Sequence, residues 1–285
     1  MRVATNTVGS LLDLYRSELT PVFGAAEARA VVRFVFEHAF GWDQAQVEAN
    51  RTTTLSESEL LKVYTPLTRL RNGEPLQYVL GHVRFMGMDI GVAPGVLIPR
   101  PETEELVDLI QRNGRSYARV LDIGTGSGCI ALALKKHVPN AVVMGMDVSS
   151  DALSIARRNG EVLGLPVEWI QQDVLDPSAA IPSQLDLIVS NPPYVPRSEE
   201  VSLDPHVRYH EPHLALFVED ADPLLFYRVI AQRAWDLLVP SGELWFEGHY
   251  QYAEAVADMV KTQGYSNVRL LHDLSGSPRF IHAHR

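Results

Sequence analysis

Residues 190–196 read Ser-Asn-Pro-Pro-Tyr-Val-Pro and follow the apolar run Leu185-Asp186-Leu187-Ile188-Val189. Asn191 offers a side-chain carbonyl and Pro192 a main-chain carbonyl, and the two prolines hold that backbone stiff and extended. Two acceptors converging from one side suit a planar NH2 group with its two hydrogens, and Tyr194 adds a flat face for stacking. The chemistry indicated is recognition of an amide or an exocyclic base amine. Taken alone, the same residues would also make a proline-rich strand ending with Tyr194 as a core aromatic.

A second constellation lies upstream. Asp122-Ile123-Gly124-Thr125-Gly126-Ser127-Gly128 ends one strand pattern and opens a helical one, and glycines there let the backbone turn sharply and approach a ligand. The spacing is G-x-G-x-G, not the G-x-G-x-x-G of dinucleotide sites. Asp147 closes the next strand, 25 positions after Asp122, where a carboxylate can accept hydrogen bonds from both ribose hydroxyls of a nucleoside. Asp173 closes the third and could receive an adenine amino group. Tight turns and helix caps would also use these residue types, but acids closing three successive strands favour nucleoside binding. Cys129, just past the loop, reads as a small buried residue and not as a nucleophile.

These side chains need a frame, and the pattern supplies one. From about residue 119 strands and helices alternate. Strands are expected at 119–123, 141–146, 167–171, 185–189, 243–246, 268–271 and 279–283, and helices near 130–137, 152–163, 224–238 and 253–263. Alternation of this kind implies a mainly parallel sheet covered by helices, with ligands at the carboxyl ends of the strands. Only Ser275-Gly276-Ser277-Pro278 joins the last two strands, so an antiparallel hairpin at a sheet edge is expected. Residues 1–75 show helical spacing alone, in Leu11, Leu12 and Tyr15, in Val31, Val32, Val35 and Phe36, and in Leu60, Leu61 and Tyr64. Ser56 to Glu59 carries a capping box. Between them, 76–100 is punctuated by Gly81, Gly87, Gly91, Pro94, Gly95 and Pro99 and reads as a hairpin connector.

Composition bounds the rest. The chain has 285 residues, 46% apolar and 21% charged, with a net charge of −10 and one cysteine. That is a globular composition with length for a core. No apolar run approaches a membrane span, residues 1–20 carry Asp13, Arg16 and Glu18 in place of a signal-peptide core, and a lone cysteine excludes an internal disulfide. The cytoplasm is the expected address. The acidic balance argues against a bulk nucleic-acid binder. His206, His210 and His213 have metal-like spacing, but Pro205 and Pro212 interrupt any helix that would align them; no metal is expected.

The set "DIGTGSG", "NPPY", "PLQYVLG" and "LIPRPETEELV" resembles the PrmC/HemK family of S-adenosylmethionine-dependent enzymes, over nearly the whole chain. "NPPY" is shared with adenine methyltransferases of DNA and RNA; "PRPETE" discriminates better. The resemblance implies a class I, Rossmann-like α/β methyltransferase fold with a mainly parallel sheet ending in an antiparallel strand. It implies three regions: a helical domain (1–75) for substrate recognition, a β-hairpin connector (76–100) and a cofactor-binding catalytic domain (101–285). The implied activity is methylation of the glutamine side-chain amide in the Gly-Gly-Gln motif of peptide-chain release factors. The implied cofactor contacts are Gly124, Thr125, Gly126 and Gly128 for the methionine end, Asp147 for the ribose, and Asp173 and Val174 for the adenine, with Asp122, Val148 and Asn191 alongside. Asn191, Pro192 and Tyr194 are the implied catalytic set, and Phe85, Arg100, Pro101, Thr103 and Pro193 complete the implied substrate pocket.

The Pro101-Glu102-Thr103-Glu104-Glu105 run also suits a helix start. Glu247-Gly248-His249 and Asp222-Pro223-Leu224 depart from the family's usual Glu-x-Gly and Asp-Gly-Leu. Other readings of the chain are a ribosomal-protein glutamine methyltransferase, an adenine N6 methyltransferase, and a catalytically silent S-adenosylmethionine-binding protein. "PRPETE", the acidic charge and the intact Asn191 to Tyr194 stretch respectively speak against them.

Overall fold

The computed structural model of the chain describes residues 6–285, so residues 1–5 of the expected helical region fall outside the described residues. The chain forms two compact units, Met1–Gly81 with Pro205–His210, and His82–Asp204 with Glu211–Arg285.

The first unit is helical. Helix α1 (Val8–Phe40) bends at Gly24, whose φ of 76° and ψ of 161° interrupt the helical path three residues after Pro21. Helices α2 (Gln44–Ala49), α3 (Glu57–Leu70) and α4 (Leu76–Leu80) follow. The capping box of α3 forms as the sequence implies: the Glu59 carboxylate accepts from Ser56 N at 2.8 Å while Ser56 Oγ accepts from Glu59 N at 3.4 Å. Leu11, Tyr15, Val31, Val35, Phe36, Val63 and Leu67 share one core. Burying each large apolar side chain contributes about 1.5–3 kcal/mol, so this small unit draws its stability chiefly from that shared face. Short helix Pro205–His210 belongs here too; His206 stacks on Phe23 with ring centroids 4.5 Å apart and donates from Nδ1 to Gly73 O at 2.6 Å.

The second unit opens with a hairpin of β1 (His82–Phe85) and β2 (Met88–Gly91). Helix α5 (Pro101–Arg112) begins at the Pro101-Glu102 helix-start pattern, and strand β3 (Arg119–Ile123), helix α6 (Cys129–His137), strand β4 (Val142–Asp147), helix α7 (Ser150–Leu163), and strands β5 (Glu168–Gln171) and β6 (Leu185–Ser190) alternate as expected. Short pieces unmarked in the pattern come next: β7 (Val195–Pro196), a 3-10 turn over Arg197–Ser202, α8 (the Pro205–His210 segment), α9 (His213–Leu216) and β8 (Phe217–Val218). Helix α10 (Leu225–Leu237), β9 (Leu238–Glu247), α11 (Ala253–Thr262), β10 (Ser266–His272) and β11 (Pro278–His284) complete the chain.

The seven-stranded sheet runs β10-β11-β9-β6-β3-β4-β5. Strand β11 is antiparallel to both neighbours, and the pairs among β9, β6, β3, β4 and β5 are parallel. The final hairpin therefore lies at the edge with its last strand inserted one place inward. After β3 the chain first builds β4 and β5 on one side, then returns to place β6 on the other. That reversal opens a crevice between the carboxyl ends of β3 and β6, where α/β sheets bind ligands.

Candidate active site

The loop after β3 and the stretch after β6 face this crevice because both strands end there. Gly124, Gly126 and Gly128 all have positive φ, 74°, 54° and 80°. At Gly126 a Cβ would meet nothing within 4 Å, whereas at Gly128 it would come 2.7 Å from the Trp169 ring. Gly126 thus needs its backbone freedom, and Gly128 needs both that freedom and the absence of a side chain. Asp147, ending β4, ties the loop down: its carboxylate accepts from Gly126 N and from Ser149 N, each at 2.9 Å. One backbone donor per oxygen leaves lone pairs for two further hydroxyl donors. Burial pushes the Asp147 carboxyl up, against the pull of the Ser149, Gly126 and Val148 N–H groups.

A cavity of about 230 Å³ has Gly124, Gly126, Asp147, Val148, Asp173, Val174, Asn191, Pro192 and Pro193 in its wall. These are the sequence-expected residues that the fold brings together. Gly95 to Leu97, Gln172, Leu214, Ala215, Phe226 and Ile230 also line it and escaped the sequence reading. Apart from glycine and proline punctuation, nothing local marks a loop that reaches the site from a distance.

The remaining expected residues lie one layer back. Asp122 is fully buried beneath the loop, where its Oδ2 accepts from Thr125 Oγ1 at 2.6 Å and from Ala131 N at 3.3 Å. Burial pushes its carboxyl up to about 7. Thr125 and Gly128 shape the loop from behind and are not in the cavity wall. Cys129 is buried and its thiol is pushed up to about 12 by burial, so no thiolate nucleophile is available at neutral pH. Phe85 is core. Tyr194 is half-buried, with its ring edge-on to His249 at 5.9 Å and its hydroxyl 3.5 Å from Glu247 Oε1.

The "PRPETE" stretch works as a bolt. Arg100 pairs with Glu211, whose other oxygen accepts from Ile98 N at 3.0 Å. Thr103 donates to Glu247 Oε2 at 2.8 Å, Glu104 accepts from Met86 N in the hairpin turn, and Glu105 accepts from Leu274 N at 2.9 Å. Pro101 sits exposed at the first turn of α5. Glu211 and Glu247, which the sequence shows only as pattern residues outside the expected site, and Asn159, which joins Gly91 to Ser127 O, are the polar residues to which the sequence assigns no role here. Their partners lie 32 to 144 positions away, a separation no local pattern announces.

Among the described residues, Glu243, His282 and His284 bring three metal-capable atoms within 4.8 Å of one another. Both Glu243 oxygens already accept, from Asn113, Arg115, Tyr117 and Trp245, and the Arg115 guanidinium at 2.8 Å opposes a cation. His206 and His210 lie in the helical unit, His206 against Phe23 and Gly73, and His213 stands edge-on to Phe217.

The sheet order with its single antiparallel strand, the glycine loop after β3 and the acidic end of β4 define a class I S-adenosylmethionine-dependent methyltransferase. Comparison with known proteins agrees: residues 101–204 match the methyltransferase small domain model and residues 11–81 the PrmC N-terminal domain model. A release factor glutamine methyltransferase of Bacteroides thetaiotaomicron is 41% identical over 270 residues, covering 95% of this chain and 97% of its own. One from Flavobacterium psychrophilum is 35% identical over 280 residues, covering 95% and 98%. Among solved structures, a methyltransferase from Pyrococcus furiosus superposes with a TM-score of 0.51 at 21% identity, over 70% of this chain and 89% of that one. The Thermus thermophilus 16S rRNA N2 G1207 methyltransferase gives 0.52 at 17%, over 72% and 49%; both show the fold. The chain belongs to the release factor glutamine methyltransferase family.

Proposed function

We propose that this chain methylates the side-chain amide nitrogen of the glutamine in the Gly-Gly-Gln motif of peptide-chain release factors. The observation that carries the reading is that Asn191 and Pro192 line the same cavity as Gly124, Gly126 and Asp147, alongside the family membership. The residues fit the cofactor. Asp147 keeps free lone pairs for ribose hydroxyls, the open face at Gly126 admits the methionine end, and Asp173 and Val174 border the adenine end. S-adenosylmethionine supplies an electrophilic methyl group when bound.

The protein's own part is to make a poor nucleophile competent. An amide nitrogen is unreactive because its lone pair is delocalised into the carbonyl. The Asn191 side-chain carbonyl and the Pro192 main-chain carbonyl accept its two N–H hydrogens, concentrate density on nitrogen and fix its direction of approach. Alignment and preorganised dipoles then carry most of the acceleration. No strong base is required, because the nitrogen becomes acidic as it gains positive charge and passes its proton to a carbonyl or water. Arg100 and Thr103 brace the pocket through their contacts to Glu211 and Glu247, and Tyr194 reaches the same Glu247.

The helical unit holds none of the groups assigned to cofactor or transfer. A pocket sized for one glutamine side chain cannot distinguish a release factor from other proteins, so the region of residues 1–75 supplies the recognition surface. Among the described residues no helix is long and apolar enough to cross a membrane, and with an acidic chain and a translation-factor substrate the reading places the enzyme in the cytoplasm, acting on protein and not on bulk nucleic acid. Incubation with labelled cofactor and purified release factor, followed by mass-spectrometric mapping, tests the reading. The label is expected on the Gly-Gly-Gln glutamine; label elsewhere, or none, refutes it.

A further inference from the structure

An asparagine amide has two ends of equal shape, and only its carbonyl end can accept a hydrogen from a substrate NH2 group. Something must decide which end faces the reacting nitrogen. We propose that Glu247, at the end of β9, is a positioning residue that sets this orientation through Thr103, holding the Asn191 NH2 inward and its carbonyl toward the substrate. This role rests on the reading of Asn191 as an acceptor for the substrate amide.

The Thr103 hydroxyl has a single proton to give. Its Oγ1 lies 2.8 Å from Glu247 Oε2 and 3.3 Å from Asn191 Nδ2, and it is buried. An ionised carboxylate only accepts, so the hydroxyl proton is committed to Glu247. Toward Asn191 the hydroxyl then has only lone pairs, which favour Nδ2 and turn Oδ1 away. Protonation reverses each step: a Glu247 O–H donates to Thr103 Oγ1, the hydroxyl proton turns to Asn191, and Oδ1 is drawn inward.

Glu247 is 1% exposed. Burial pushes its carboxyl up to about 7, against the Thr103 hydroxyl, the Arg279 charge and the Tyr194 hydroxyl, with Glu102 reinforcing the rise. Arg279 is paired with Asp273 at 2.9 Å. Tyr227, whose hydroxyl donates to the main-chain O of Glu247 at 3.2 Å, and Cys129 also feel this carboxylate, while His249 packs on the Tyr194 ring and lies 3.4 Å from Glu199. The folded value lies above the ordinary one, so the relay reverses as pH falls through about 7. Thr103 and Glu247 are buried, so the carboxylate end of the relay is shielded from water, while Asn191 meets the cavity.

The test measures kcat at saturating peptide and cofactor from about pH 5.5 to 9 for wild type, T103S, T103V, E247Q and N191A, with cofactor affinity by calorimetry. T103V, which keeps the shape of threonine without its hydroxyl, is expected to turn over roughly tenfold more slowly at pH 8, the worth of one hydrogen bond, with cofactor affinity within threefold. T103S restores the rate to within about twofold. Wild type and T103S lose turnover on the acid side with a midpoint near 7, and T103V and E247Q lose that limb. A wild-type profile flat through this range, a limb that survives in E247Q, or T103V turning over like wild type overturns the proposal. Should T103V fail to fold, the E247Q profile and the T103S rate decide between these outcomes. N191A separates the two readings. If it keeps wild-type turnover, Asn191 is not the acceptor; if it loses turnover while T103V does not, only the relay fails.

Discussion

Replacing Asp147 tests the cofactor assignment most directly. In Asp147→Ala two charge-assisted hydrogen bonds to ribose hydroxyls disappear, each worth about 1.5–3 kcal/mol at most. The lower figure for both gives about 3 kcal/mol, roughly 150-fold in Kd. The same truncation strips Gly126 N and Ser149 N of their shared acceptor, which loosens the loop and adds to the loss. Asp147→Asn is no milder than a partial version of this. Either orientation of its amide turns an NH2 against Gly126 N or Ser149 N, and at least a tenfold loss is expected. Burial raises the Asp147 carboxyl, and binding needs the ionised form, so wild-type affinity should decline on acidification at a higher pH than an ordinary aspartate would give. Calorimetric titration with S-adenosylhomocysteine measures all three effects. A Kd for Asp147→Ala within threefold of wild type refutes the ribose role.

Asn191→Ala should leave cofactor affinity within a few-fold while turnover falls on the order of a hundredfold, as on losing a preorganised polar group; single-turnover assay with labelled cofactor reads it. A stability prediction comes from Glu243. Although burial opposes its charge, the His282 ring 3.4 Å away and the Trp245 and Tyr117 donors hold its carboxyl at about 2. A folded value below the ordinary 4.5 means its stabilisation is full above that pH and is lost as pH falls toward 2. Glu243→Gln should remove this acid limb and weaken the protein by roughly 2–4 kcal/mol at pH 7, seen as a melting temperature about 5 °C or more lower; an unchanged acid unfolding curve would contradict it. A fragment starting near His82 should retain cofactor binding and slow methylation of a Gly-Gly-Gln peptide but lose most of its preference for the intact factor. Equal loss of kcat/KM on both substrates, or none on either, removes the recognition role.

Much of the fold follows from local rules that a sequence states openly. Most strands and helices of the second unit fall within a few residues of their periodicity because each is an amphipathic or buried run; β9 is the exception, starting at Leu238 and running through Pro240 and Gly242, where a local pattern marks a turn. Ser56 and Glu59 form their box since both partners sit within one turn. Gly124, Gly126 and Gly128 announce a turn that other residues would strain, and Asp147 stands at a strand end whatever the sheet order.

Which strands become neighbours is a different matter. The short pieces β7 and β8 carry too few residues to show a period, and β11 takes its place between β9 and β10 through main-chain pairing that its side chains do not advertise. Only the sheet order brings the loop after β3 opposite Asn191 after β6, 63 positions along the chain from Gly128. Glu211 and Glu247 read as ordinary acids in a sequence. Burial against Arg100, Ile98 N and Thr103 makes them bolts of the site, because a carboxylate's energy is set by who surrounds it, and those neighbours arrive from 111 to 144 positions away.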